Sequence, residues 1–164
     1  MTTVESCVPT WDAYAAQHTE EIFRVAHNRL DESAGAYNKR LRIHLDNMID
    51  TYFDSSDLTP TPVDWLGLGS LAILASGQLD ENETVSTLCM KQGDYGPNNI
   101  ARFGHSGLLL RLHDKVARLE NLVSQGREAQ NESLHDTYLD IVGYSVIGMM
   151  LLDGSFFFPL TSFD

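Results

Sequence analysis

The sequence predicts an all-α fold, a helical bundle forming one domain over residues 1–164. Three observations carry that expectation. Apolar residues recur at three- and four-residue steps along most of the chain, the period of an amphipathic helix. Start and stop signals punctuate the periodic segments: Thr61-Pro62 and Asp80 open two of them, and Gly77, Gly126 and Gly154 close three. No stretch alternates apolar and polar residues as a half-buried strand does, and no internal repeat is visible.

The elements follow in order. Residues 11–30 and 35–53 are amphipathic with few breakers, and the run from Asp31 to Gly35 separates them. Asp54 through Pro62 is the clearest linker, so residues 1–59 form an N-terminal helical part and residues 60–164 a second part of the same domain. Thr61 is placed to cap a helix, Pro62 suits its first position, and Asp64 complements its dipole; Gly77 should stop it. Within that helix Gly67 and Gly69 read as close packing, not as a ligand loop. Asp80 and Glu83 start the next helix, expected to end near Gly93, with Asp94 through Asn99 as a loop. Ser106 through Ser124 reads as a long helix ended by Gly126. A last long helix, capped by Asn131, should run to Asp153. The apolar tail Phe156-Phe157-Phe158-Pro159-Leu160 needs cover from the body or from a second subunit.

Composition narrows the partners. The 164 residues are 43% hydrophobic, enough for a single sizeable core. With 23 acidic against 11 basic side chains the formal charge is −12, which repels duplex nucleic acid. A small anion fits only where cations are locally concentrated. Cys7 and Cys89 lie far apart and form no CxxC pair, so neither zinc nor redox chemistry is suggested and a reducing cytoplasm is expected. No secretory leader is visible at the start. The apolar run Ile141–Leu152 is shorter than the roughly 20 residues a membrane span needs, so no membrane partner is expected.

Two charged stripes stand out. Arg111, Asp114, Lys115 and Arg118 fall within an arc of roughly 100 degrees on a helical wheel, beside the apolar stripe of Leu108, Leu112, Val116 and Leu119. Glu132, Asp136 and Asp140 share a face that runs on into Ile147, Met150 and Leu151. Ionisable groups at a core edge are partly desolvated and suited to chemistry. Two accounts of the stripes stay open. Carboxylates and cations on facing helices suit a divalent cation bridged to phosphate. Equally, basic stripe meeting acidic stripe staples two helices by ion pairs such as Arg111 with Asp140. Lys91 through Gly96 is a second candidate, in which Tyr95 would stack on a base and Asn98, Asn99 and Arg102 would add polar contacts. The alternative there is an ordinary turn between helices. His105, His113 and His135 lie near these stripes but form no metal-binding pair.

Taken as one ordered series, the motifs resemble a known family. Lys91-x-x-Asp94-Tyr95-Gly96, Phe103-Gly104-x-x-Gly107, Arg111-x-x-Asp114-Lys115-x-x-Arg118-Leu119 and Glu132-Ser133-x-x-Asp136-Thr137-x-x-Asp140-x-x-x-Tyr144 look like nucleotide modification associated domain 1. The resemblance covers roughly residues 88–152; residues 1–85 carry no recognised motif. Such domains are typical of bacteriophages and bacteria and imply work on nucleotides. The series is more distantly similar to the all-α nucleoside triphosphate pyrophosphohydrolases of the MazG type. Glu132, Asp136 and Asp140 match their second acidic motif, whereas Arg111 and Asp114 stand where those enzymes carry two glutamates three apart.

The resemblance implies a site between the two long C-terminal helices and a Mg²⁺- or Mn²⁺-dependent hydrolysis of a deoxynucleoside triphosphate to monophosphate and pyrophosphate. Asp114, Glu132, Asp136 and Asp140 would hold the metal, the first three also serving catalysis. Lys91, Asp94, Tyr95, Arg111, Lys115 and Arg118 would bind substrate. Homo-oligomers are expected by analogy. A nucleotide-binding protein that does not consume its ligand is the first alternative, favoured by the missing glutamate pair. A structural or interaction module working through its tail and acidic surface is the second.

Overall fold

The computed structural model describes residues 8–29, 34–126 and 133–161. Most of them are helical: α1 (Trp11–His27), α2 (Ala34–Tyr52), α3 (Pro62–Ser76), α4 (Glu81–Tyr95), the short α5 (Asn98–Ala101), α6 (Gly104–Gln125) and α7 (Leu134–Asp153). A single 3-10 turn, Ser155–Phe157, follows. No strand occurs among the described residues, as the periodicity predicts. No described helix is long and apolar enough to cross a membrane.

α3 and α7 form the centre. Both are apolar on nearly every face, the mark of a helix enclosed by others. Small residues bring them together. An added Cβ on Gly148 would lie 2.2 Å from the Trp65 ring, and one on Gly69 3.2 Å from the Ser145 Cβ of α7 and 2.8 Å from Ile22 of α1, so both glycines are sites of close approach. Trp65 itself is fully buried and stacks on His105 at 5.8 Å. The N-terminus of α3 forms as its sequence predicts: Thr61 and Asp64 make a reciprocal capping box, Pro62 opens the helix, and Gly77 closes it with φ +71°.

The surrounding helices are tied on by a few polar links. Arg42 of α2 reaches Glu120 of α6 at 2.5 Å and Asp46 at 3.0 Å. Buried His18 of α1 meets Asp153 at the end of α7 at 2.6 Å. The tail packs on the body of the same chain. Phe156 is buried against Trp11, Phe158 sits edge-on to Tyr14, and the Trp11 amide donates to the Pro159 carbonyl at 2.9 Å. Phe157 alone of the three rings faces outward, 63% exposed.

Several boundaries differ from the sequence expectation; α1, for one, ends at His27 and not at residue 30. α4 continues through Gly93 to Tyr95, because Gly96, with φ +67°, is the residue that breaks it. α6 begins at Gly104, two residues early, so Asn98–Ala101 makes a short helix within the expected loop. The cap of α7 is Ser133, whose hydroxyl accepts from the Asp136 amide at 3.0 Å; Asn131 lies outside the described residues.

Candidate functional site

A cleft of about 430 Å³ opens where α4, α5, α6 and α7 converge. Each helix contributes one stripe. α4 supplies Thr84, Thr87, Leu88, Lys91 and Tyr95, spaced so that they share a face. α6 supplies Arg111 and Lys115, one turn apart. α7 supplies Leu139, Asp140, Gly143, Tyr144 and Ile147, and α5 supplies Asn99 and Ile100. Gly143 fixes the spacing: an added Cβ would stand 3.0 Å from Leu88, so α4 approaches α7 closely there. That approach carries the Lys91 ammonium to Asp140.

Asp140 is the hub. Its Oδ1 accepts from Lys91 Nζ and its Oδ2 from Lys115 Nζ at 2.8 Å, so one carboxylate gathers a cation from each neighbouring helix. Its side chain is only 14% exposed, against 22% for Lys115 and 50% for Lys91. Burial alone would raise its pKa. The hydrogen bonds and charges of Lys115 and Lys91 outweigh that and hold the carboxyl below the usual carboxylate range. Arg111, at the same cleft, donates to the Asn99 carbonyl at 3.4 Å. The Asn99 side-chain oxygen is buried with no hydrogen-bond partner, a condition that a bound ligand or water relieves.

The lining divides by polarity. Leu88, Ile100, Leu139 and Ile147 supply its apolar lining, and Tyr95 and Tyr144 its aromatic rings. Lys91, Arg111 and Lys115 supply its positive charge. Three cations face one carboxylate, in a chain whose overall charge is strongly negative. A small apolar pocket with a few converging polar groups is the usual form of a ligand site, and this one lies at the small end of the usual range of about 300–1,000 Å³.

The structure sorts the sequence candidates. Lys91, Tyr95, Arg111, Lys115 and Asp140 come together on the cleft. Asp94, Asp114 and Asp136 are exposed and do not line it. Arg118 reaches across to α7 and donates to the buried Thr137 hydroxyl at 2.7 Å, which makes it a tie between the helices. Glu132 lies outside the described residues. In place of the ion pair expected between Arg111 and Asp140, the two lysines meet Asp140 and Arg111 donates to the Asn99 carbonyl. Thr84, Thr87, Gln92 and Tyr144 had no assigned role from sequence. The register of α4, continued back from Lys91 by four and seven residues, would have found the two threonines.

Among the described residues the expected metal-binding carboxylates do not gather around the cleft. Both oxygens of Asp140 are engaged by ammonium groups, Asp114 and Asp136 are exposed and do not line the cleft, and Glu132 lies outside the described residues. No three Asp, Glu, His or Cys residues converge in a metal-binding arrangement among the described residues.

Comparison with known proteins bears on this same region. No curated protein and no solved structure matches the chain. Residues 91–152, which run from Lys91 through α5 and α6 almost to the end of α7 and so carry every charged residue of the cleft, match the family described as nucleotide modification associated domain 1.

Proposed function

We propose that the protein binds a nucleotide in the cleft between α4, α5, α6 and α7. Phosphate oxygens lie against Lys91, Lys115 and Arg111. The base and sugar occupy the apolar lining, beside Tyr95 and Tyr144. The observation that carries this reading is the gathering of three cations beside an aromatic, apolar pocket on an otherwise acidic chain. A locally positive cleft on a negative surface concentrates small anions and repels large ones. The match of residues 91–152 to a nucleotide-modification-associated domain supports the ligand class.

Hydrolysis of a nucleoside triphosphate is the second reading. It rests on the ordered acidic series Asp114, Glu132, Asp136 and Asp140, with Mg²⁺ or Mn²⁺ as its metal, and on the distant similarity to all-α pyrophosphohydrolases. The cleft gives it less support, since its one carboxylate is engaged by lysines. A thermal-shift screen of nucleotides, followed by chromatography of the mixtures, separates the two. Stabilisation with intact ligand supports binding, and release of monophosphate and pyrophosphate supports hydrolysis. The same screen on Lys115→Met should lose the shift. A shift of equal size in that variant would remove the cleft from consideration.

A further inference from the structure

We infer that Asp140 is a built-in competitor for the ligand, holding Lys91 until a phosphate group displaces it, so that the cleft takes phosphate esters in preference to carboxylates. This rests on the nucleotide-binding reading and deepens it. Lys91 and Lys115 meet the same carboxylate but are placed differently. Lys91 comes from α4 and is half exposed, whereas Lys115 of α6 and Asp140 of α7 are largely covered. Lys91 pairs with Oδ1 and Lys115 with Oδ2, so Lys91 can turn away while Asp140 keeps a cation on its other oxygen. A covered carboxylate stripped of every partner is strongly destabilising, and Lys115 prevents that. Lys91, a point charge on a flexible four-carbon stem, is therefore the member of the cluster that can change partner. Loss of Lys115 would leave Lys91 as the one cation on Asp140, and so less able to leave it.

Arg111 supplies the second contact. Its hydrogen bond to the Asn99 carbonyl is 3.4 Å long, beyond the usual N–H···O range, so the planar guanidinium keeps donors for a ligand. Lys91 and Arg111 line the same cleft from different helices. Exchange at Lys91 selects by the strength of the incoming acceptor. A ligand carboxylate offers Lys91 the same group that Asp140 already provides, so the swap gains nothing. A phosphomonoester brings about −1.5 to −2 charges near pH 7 and three acceptor oxygens, enough to engage an ammonium and a guanidinium together.

The test is calorimetric titration of the full chain with the four deoxynucleoside monophosphates, their triphosphates and the matching nucleoside 5′-carboxylates. The unsubstituted chain should bind at least one of the phosphates, and its carboxylate counterpart about tenfold more weakly or worse, the value of one charge-assisted hydrogen bond. The same titrations on Asp140→Asn, Lys91→Met and the double variant, each with unchanged helical circular dichroism, isolate the exchange as a double-mutant cycle. Asp140→Asn should tighten binding of that phosphate, because Lys91 no longer has to be withdrawn from a carboxylate. Lys91→Met should weaken it by less than about threefold alone, and by about tenfold or more in the Asp140→Asn background. Equal effects of Lys91→Met in the two backgrounds, or none in either, would overturn the inference and leave the nucleotide-binding reading standing. So would a carboxylate that binds the unsubstituted chain as tightly as its phosphate, a comparison that needs no variant to fold. No binding of any nucleotide to any of the four proteins would overturn both.

Discussion

Replacing Asp140 with Asn removes the charge that holds Lys91 and Lys115 together while nearly preserving shape. Its cost follows from burial. Breaking a fully buried ion pair costs about 3–5 kcal/mol, and breaking an exposed one about 0–1 kcal/mol. Asp140 and Lys115 are largely covered, at 14% and 22% exposure, but Lys91 is half exposed and can turn to solvent. The expected loss is therefore about 2 kcal/mol, which for a chain of this size lowers Tm by roughly 4–8 °C. The sign with pH is fixed by the direction of the shift. Because the folded carboxyl is held below its ordinary value, near 3.9 when unfolded, its stabilisation is complete above about pH 4 and is lost as pH falls through the folded pKa. Urea unfolding of the two proteins at pH 7, 5 and 3 measures this. The gap should be equal at pH 7 and 5 and should narrow at pH 3. Equal stability at pH 7 would refute the ion-pair geometry, and an undiminished gap at pH 3 would refute the charge account.

Gly148→Ala should destabilise the protein by about 1–3 kcal/mol through overpacking against the rigid, buried Trp65 ring, despite the roughly 1 kcal/mol gain in helix propensity; urea denaturation checks this, and a neutral outcome would contradict the closeness of α3 and α7. Phe156→Ala should cost about 3–5 kcal/mol, because the ring is buried beside Trp11, whereas Phe157→Ala should fall within about 0.5 kcal/mol; comparable losses in thermal melts would mean the tail is seated differently. Arg42→Ala should cost about 1 kcal/mol and narrow the stability difference from a Glu120→Ala variant in a double-mutant cycle, since the two side chains share one contact between α2 and α6.

Local signals in the sequence specified most of the fold. Thr61, Pro62, Asp64, Asp80, Gly77 and Gly154 act where their chemistry predicts, because capping depends on residues three or four apart. The break in α4 was harder to place. Gly93 is tolerated inside the helix and Gly96, with φ +67°, ends it. The cationic half of the site was legible for the same local reason: Arg111 and Lys115 are one turn apart and border the core stripe of α6. Pairing was not legible. Spacing shows which residues share a face, but the partner on another helix depends on rotation and offset. Arg111 and Asp140 look matched in sequence, yet Gly143 draws α4 against α7 and delivers Lys91 in place of Arg111. The threonines of α4 carry no charge and were invisible until the cleft itself was drawn.

The most direct test of the central claim is a map of ligand contact at residue level, by amide chemical-shift perturbation with a saturating deoxynucleoside phosphate. Binding in the cleft predicts the largest shifts at Thr84, Lys91, Asn99, Arg111, Lys115 and Gly143, on all four lining helices, with little change at Asp114 and Asp136. Shifts centred on Asp114 and Asp136, with the cleft residues unmoved, would contradict it.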